Sequence, residues 1–124
     1  MRELDFELIA DDRAPRYSRA RVDDIGGLLG PRSTDVKLVI SELVTNSVRH
    51  APRTEKVRVR VRVDDENIRL EVMDDGPGFL TSMSKSDGLG LVVVDQLADE
   101  WGVHVDGKCT VWVELARSSG DDER

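Results

Sequence analysis

The run Ser41-Glu42-Leu43-Val44-Thr45-Asn46-Ser47-Val48-Arg49-His50 reads as the middle of an amphipathic helix. Apolar residues recur at Val36, Val39, Ile40, Leu43, Val44 and Val48, the spacing of one buried stripe. Glu42 and Asn46 are four residues apart, so they project from the same side, one turn from each other. A carboxylate and a carboxamide placed this way offer hard oxygen donors and a proton acceptor at one point. Those are the requirements of a magnesium–nucleotide site. An ordinary exposed helix face carries the same residue types, so the pair acquires meaning only with the rest of the chain. Both lie off the valine stripe, which predicts little effect of either on fold stability.

Outward from this helix, Ser33 or Thr34 is the expected N-cap, Asp35 suits the first turn, and Ala51-Pro52 ends it. Downstream, Val57 to Val63 alternates four valines with three arginines in strict period two, a half-buried strand. A polar turn at Asp64-Asp65-Glu66-Asn67 leads into Ile68 to Asp74, predicting an antiparallel hairpin in which Glu71 offsets the arginines. A third helix is expected over Leu91 to Asp99. Strands follow at Trp101 to Val105 and Thr110 to Leu115, joined by the turn pair Asp106-Gly107. Upstream, Leu4, Phe6 and Leu8 alternate with acids in a first strand. A helix opening at Asp12 to Pro15, with Asp12 as cap, then carries Tyr17, Val22, Ile25 and Leu29 towards the core and stops around 26–31. Its Arg13, Arg16, Arg19 and Arg21 form a solvated face or a docking surface for an acidic partner. Helices and hairpins are segregated, which predicts an α+β sandwich.

The chain of 124 residues is one domain, with 39% hydrophobic and 35% charged residues. A net charge of −7 argues against nucleic acid or an anionic membrane as main partner. No apolar run is long enough to span a bilayer and no signal-peptide pattern opens the chain. The single cysteine, Cys109, fits a reducing cytoplasm and reads as a small buried apolar residue. The tail at 118–124 lacks apolar residues and is expected to be disordered, leaving 1–117 as the folded unit.

Two further pieces carry chemistry. Asp74 ends a strand and is followed by Gly76 and Gly78. A carboxylate there can accept a hydrogen bond from an amino group, and the glycines let a planar ligand approach the backbone. A solvent-exposed Asp-Gly turn is the plainer alternative. Gly88-Leu89-Gly90 opens the third helix and offers N–H groups to an anion, with Lys85 and Ser84 or Ser86 nearby. A hinge explains the same glycines. Neither the dinucleotide fingerprint nor a P-loop is present.

Glu42-x-x-x-Asn46, Asp74-x-Gly76-x-Gly78, Gly88-x-Gly90-Leu91 and Thr110 together resemble the ATPase superfamily of gyrases, heat-shock chaperones, sensor histidine kinases and mismatch-repair proteins. Within it, the short lid and the wording Glu-Leu-Val-Thr-Asn-Ser-Val-Arg-His-Ala are most similar to bacterial anti-sigma-factor serine kinases. The resemblance implies a two-layer sandwich of the Bergerat type, a mixed, mostly antiparallel sheet with three main helices on one face. It implies ATP or ADP and Mg2+ as ligands, with Asn46 on the metal and Glu42 as general base. Asp74 would take the adenine amino group, and Gly76, Gly78 and Thr110 would shape the base pocket. Lys85, Gly88, Leu89, Gly90 and Leu91 would meet the phosphates, and Arg49 and His50 would border the pocket. Cys109 departs from the family pattern, which often has glycine before the last threonine. The activity implied is phosphorylation of an anti-sigma-antagonist protein by a cytoplasmic homodimer that also sequesters a sigma factor. The alternative is a non-catalytic module in which ATP sets partner affinity. The catalytic domain of a histidine kinase is disfavoured because the chain starts almost at the first strand, and length excludes a gyrase-like strand-opening enzyme.

Overall fold

Strict alternation builds the centre of the sheet. In a computed structural model, which describes residues 2–51, 54–75 and 91–117, Val57, Val59, Val61 and Val63 of β2 (Lys56–Val63) are all buried. Ile68, Leu70 and Val72 are buried alongside them in β3 (Asn67–Asp74). The strands pair antiparallel through Val59↔Val72, Val61↔Leu70 and Val63↔Ile68. Asp64 closes the turn between them, its Oδ1 accepting the N–H groups of Glu66 at 2.9 Å and Asn67 at 2.7 Å, the Asx-type device of such turns. β1 (Arg2–Ile9) flanks β2, β5 (Cys109–Ala116) flanks β3, and β4 (Glu100–Val105) forms the far edge. All four pairings among the described residues are antiparallel, a more uniform sheet than the mixed one expected. Gly107 joins β4 to β5 at φ +73°, a left-handed conformation that favours glycine.

Among the described residues, four helices cover one face: α1 (Ala14–Asp23), the short α2 (Gly26–Leu29), α3 (Ser33–His50) and α4 (Leu91–Leu97). Val36, Val39, Ile40, Leu43 and Val44 of α3 meet the valines of the sheet in one core, with Val22 and Leu29 beside them. The expected stripe on α3 is therefore buried from Val36 to Val44, while Val48 at its end is only partly buried.

Four local expectations fail. Tyr17 is 49% exposed, because α1 buries Ala14, Ser18 and Val22 at four-residue spacing instead. The first helix ends at Asp23, and Ile25 to Leu29 fold into α2 with its preceding turn. The side chain that meets the start of α1 is Asp11, whose Oδ1 accepts the Arg13 N–H at 2.8 Å, not Asp12. Nor does Ser33 or Thr34 cap α3. A 3-10 turn at Gly30–Arg32 runs straight into it, and the Gly30 carbonyl accepts the Ser33 N–H.

Among the described residues no helix covers the outer face of the sheet, which is neutralised from within. Arg58 holds Asp5 through two bonds of 2.9 and 2.6 Å, Arg62 reaches Glu3 at 3.1 Å, and Arg69 reaches Glu114 at 2.8 Å. Glu71 takes Arg60 at 3.4 Å from the neighbouring strand, the offset expected of it. Among the described residues, no helix is long and apolar enough to cross a membrane.

Candidate nucleotide site

Glu42 and Asn46 differ by about 40° around α3, four steps of 100°. Both lie on one flank of the buried stripe. Asn46 is the nearer to the stripe and is 3% exposed, while Glu42 stands further out and is half-buried. A buried carboxamide one turn from a half-buried carboxylate keeps hard oxygen donors beside a base that solvent can still reach. Serine and threonine follow the same backbone: Ser41 Oγ donates to the Leu38 carbonyl at 3.1 Å and Thr45 Oγ1 to the Ser41 carbonyl at 2.7 Å. These bonds occupy hydroxyls within the helix and leave the Glu42–Asn46 flank chemically distinct.

Asp74 completes β3 on the face that α3 covers. It continues the inward parity of Ile68, Leu70 and Val72 and is 4% exposed. α3 packs against β3, so the helix with Glu42 and Asn46 and the strand ending in Asp74 belong to one side of the sheet. Thr54, in the connection after α3, joins them: its Oγ1 accepts the Asp75 N–H at 3.0 Å.

Thr110 is not where the resemblance puts it. Its cross-strand partners are Met73 and His104, on the outer face. The residue opposite Asp74 is Cys109, buried at 1% exposure. Alternation decides this, because Cys109 shares the parity of Val111 and Val113, whereas Thr110 shares that of Trp112. Burial, and after it the charge of Asp74, pushes the Cys109 thiol up to about 11, so it is a neutral wall and not a nucleophile. The signal for Cys109 was available in the valine alternation; nothing in the sequence marks Thr54.

The remaining expected residues divide simply. Arg49 is exposed in the last turn of α3, which His50 ends, and Leu91 begins α4. Gly76, Gly78, Lys85, Gly88, Leu89 and Gly90 lie outside the described residues, as do the lid at 80–87 and the tail at 118–124. α4 is tied back to the start of α3, since Arg32 donates to the Leu97 carbonyl at 3.2 Å. A cleft of about 330 Å³ is lined by Glu7, Arg58, Met73, Asp74, Asp75 and Lys108 among others. Glu7, Arg58 and Met73 are successive neighbours on the outer face; Glu42 and Asn46 do not line this cleft, which shares only Asp74 with the site they flank.

Comparison with known proteins identifies the family and the fold. The histidine kinase-, DNA gyrase B- and HSP90-like ATPase family matches residues 32–120. The sensor histidine kinase PdtaS of Mycobacterium tuberculosis is 36% identical over 117 residues, covering 90% of this chain and 22% of that protein. The serine-protein kinase RsbW of Bacillus licheniformis is 30% identical over 96 residues, covering 62% of this chain and 60% of RsbW. The chain thus spans about a fifth of PdtaS and three fifths of RsbW. A crystal structure of the RsbU and RsbW domains of Rv1364c from Mycobacterium tuberculosis superposes with a TM-score of 0.73 at 25% identity, covering 96% of this chain and 34% of that one. With the α3 pair, the inward Asp74 and a family match across most of the fold, this chain belongs to the histidine kinase-, DNA gyrase B- and HSP90-like ATPases, with an ATP-binding fold of the RsbW kind.

Proposed function

We propose that this chain is an anti-sigma factor and protein serine kinase that phosphorylates an anti-sigma-antagonist domain. The observation that carries the reading is Glu42, half-buried one turn from Asn46, because nucleotide binding alone does not call for a carboxylate at that place. Glu42 takes the proton of the partner's serine hydroxyl as its oxygen bonds to the γ-phosphorus, and ADP leaves with the electrons of the broken P–O bond. Asp74 accepts the adenine amino group, and Cys109 lies against it on the pocket wall. The donor set fits magnesium, with the Asn46 carboxamide oxygen as its ligand; when bound, the ion supplies charge neutralisation at the phosphates. Similarity to RsbW, a serine-protein kinase, supports the substrate class. The exposed Arg13, just before α1, and Arg16 and Arg19 within it give a chain of net charge −7 a basic face for an acidic regulatory partner. A homodimer in the cytoplasm completes the proposal.

A second reading has its own support. The 36% identity to a sensor histidine kinase over 90% of the chain favours an ATP-binding module that phosphorylates a histidine carried elsewhere. Incubation with γ-labelled ATP and candidate acceptors separates the two: acid-stable label on an antagonist serine supports the first, acid-labile label on a histidine the second. Tight ATP binding without transfer to any acceptor leaves the non-catalytic module.

A further inference from the structure

Thr54 sits in the connection between α3 and β2 and is buried at 7% exposure. Its N–H donates to the Ala51 carbonyl at 2.9 Å, and the Ala51 N–H donates to Ser47 at 3.0 Å, which fastens it to the end of α3. Its hydroxyl oxygen accepts the Asp75 N–H at 3.0 Å. The position of that bond matters more than its strength. The β2–β3 ladder stops at Arg58↔Met73 and the β3–β5 ladder at Asp74↔Cys109. Among the described residues no ladder pairing continues beyond Asp74, and a side chain takes over the task of a neighbouring carbonyl. The other tie on Asp75, Lys108 Nζ at 3.2 Å, joins two exposed groups and so constrains the backbone weakly.

We propose that Thr54 is a positioning residue for the nucleotide base: its hydroxyl fixes the Asp74–Asp75 peptide to the C-terminal end of α3. The carboxylate that recognises adenine is thereby held at a set distance from Glu42 and Asn46. This rests on the reading of Asp74 given above. A base-recognising carboxylate at a strand end that could swivel would accept an amino group and tolerate other base edges almost equally. One anchored on both sides pays the ordering cost before the ligand arrives. Thr54→Val keeps shape and burial and removes the acceptor; Thr54→Ser keeps the acceptor.

The test is calorimetry of ATP and GTP binding, with magnesium, to the unmodified chain and both variants. Thr54→Val is expected to lose about tenfold in ATP affinity, as for one misplaced hydrogen bond, and to narrow the ATP-over-GTP preference. Thr54→Ser is expected to retain both. A purely structural role would lower the melting temperature of Thr54→Val and leave that preference intact, which would overturn the proposal. If the unmodified chain itself does not prefer ATP, the reading of Asp74 fails and takes this inference with it. Should Thr54→Val not fold, amide exchange on the unmodified chain decides: protection of the Asp75 N–H before nucleotide is added supports the anchor, and exchange at the free-peptide rate refutes it.

Discussion

Glu42 and Asn46 share one flank of α3 but differ in burial, and they are expected to fail differently. Glu42→Ala keeps nucleotide affinity within a few fold while phosphoryl transfer falls by about 10²–10⁴, the usual worth of a positioned base. Direct titration alongside a transfer assay checks this, and an unchanged transfer rate refutes the role. Asn46 is buried, so Asn46→Ala costs about 1–3 kcal/mol of stability as well as magnesium-dependent binding, which urea unfolding measures. Helical spacing alone made the two residues look equally harmless to the fold. Spacing reports direction around a helix, not how near the flank lies to the sheet. At Cys109 the thiol is pushed up to about 11 from 9.0. A group raised in the folded state stabilises fully below its unfolded value, and that contribution is lost as pH rises through the folded one. Melting followed from pH 8 to about 11 is therefore expected to fall more steeply for the unmodified chain than for Cys109→Ala. Thr110 carries the plainest lesson at this scale: a motif gives residue type, but strand parity decides which face a side chain serves.

Elements with a strong period were legible and element ends were not. The valines of β2 and the stripe of α3 are buried as their alternation and spacing require, because each places a whole face at once. Caps depend on single bonds, and Gly30–Arg32 replaced the expected serine cap with a continuous turn. Side-chain direction in a short helix such as α1 is equally local, which is why Tyr17 was misplaced. Among the strands, β4 and β5 meet at Gly102, where an added Cβ would come within 2.9 Å of the Trp112 ring. That ring also carries Arg69, 4.8 Å from its centroid, so the indole cannot yield without disturbing its neighbour. Gly102→Ala is expected to cost about 1–3 kcal/mol through overpacking, read as a lower denaturation midpoint. A midpoint unchanged by the substitution would show that the indole moves freely.

The whole molecule is a helix layer over an antiparallel sheet whose outer face is held by its own ion pairs. Its acid stability follows from those pairs and from the turn between β2 and β3. Hydrogen bonding from Arg58 lowers the Asp5 carboxyl, and the backbone N–H groups of Asn67 and Glu66 lower that of Asp64, each from 3.8. A lowered carboxyl contributes stability above its unfolded value and loses it as pH falls through the folded one. Asp5→Asn and Asp64→Asn are thus each expected to flatten the loss of stability below about pH 4, as followed by circular dichroism. Family and architecture were legible at this scale because the ATP-site motifs are spread over the chain and must converge. Partner identity was not, since a basic helix face such as that of α1 fits many acidic surfaces. The central claim is that Asp74 and the α3 pair form one adenine-nucleotide site, and titration calorimetry of the unmodified chain and Asp74→Asn tests it most directly. ATP with magnesium is expected to bind, GTP to bind poorly because it presents an oxygen where adenine presents its amino group, and Asp74→Asn to weaken ATP by about 10- to 100-fold. Equal affinity for ATP and GTP, or an Asp74→Asn variant that binds ATP as well as the unmodified chain, would contradict it.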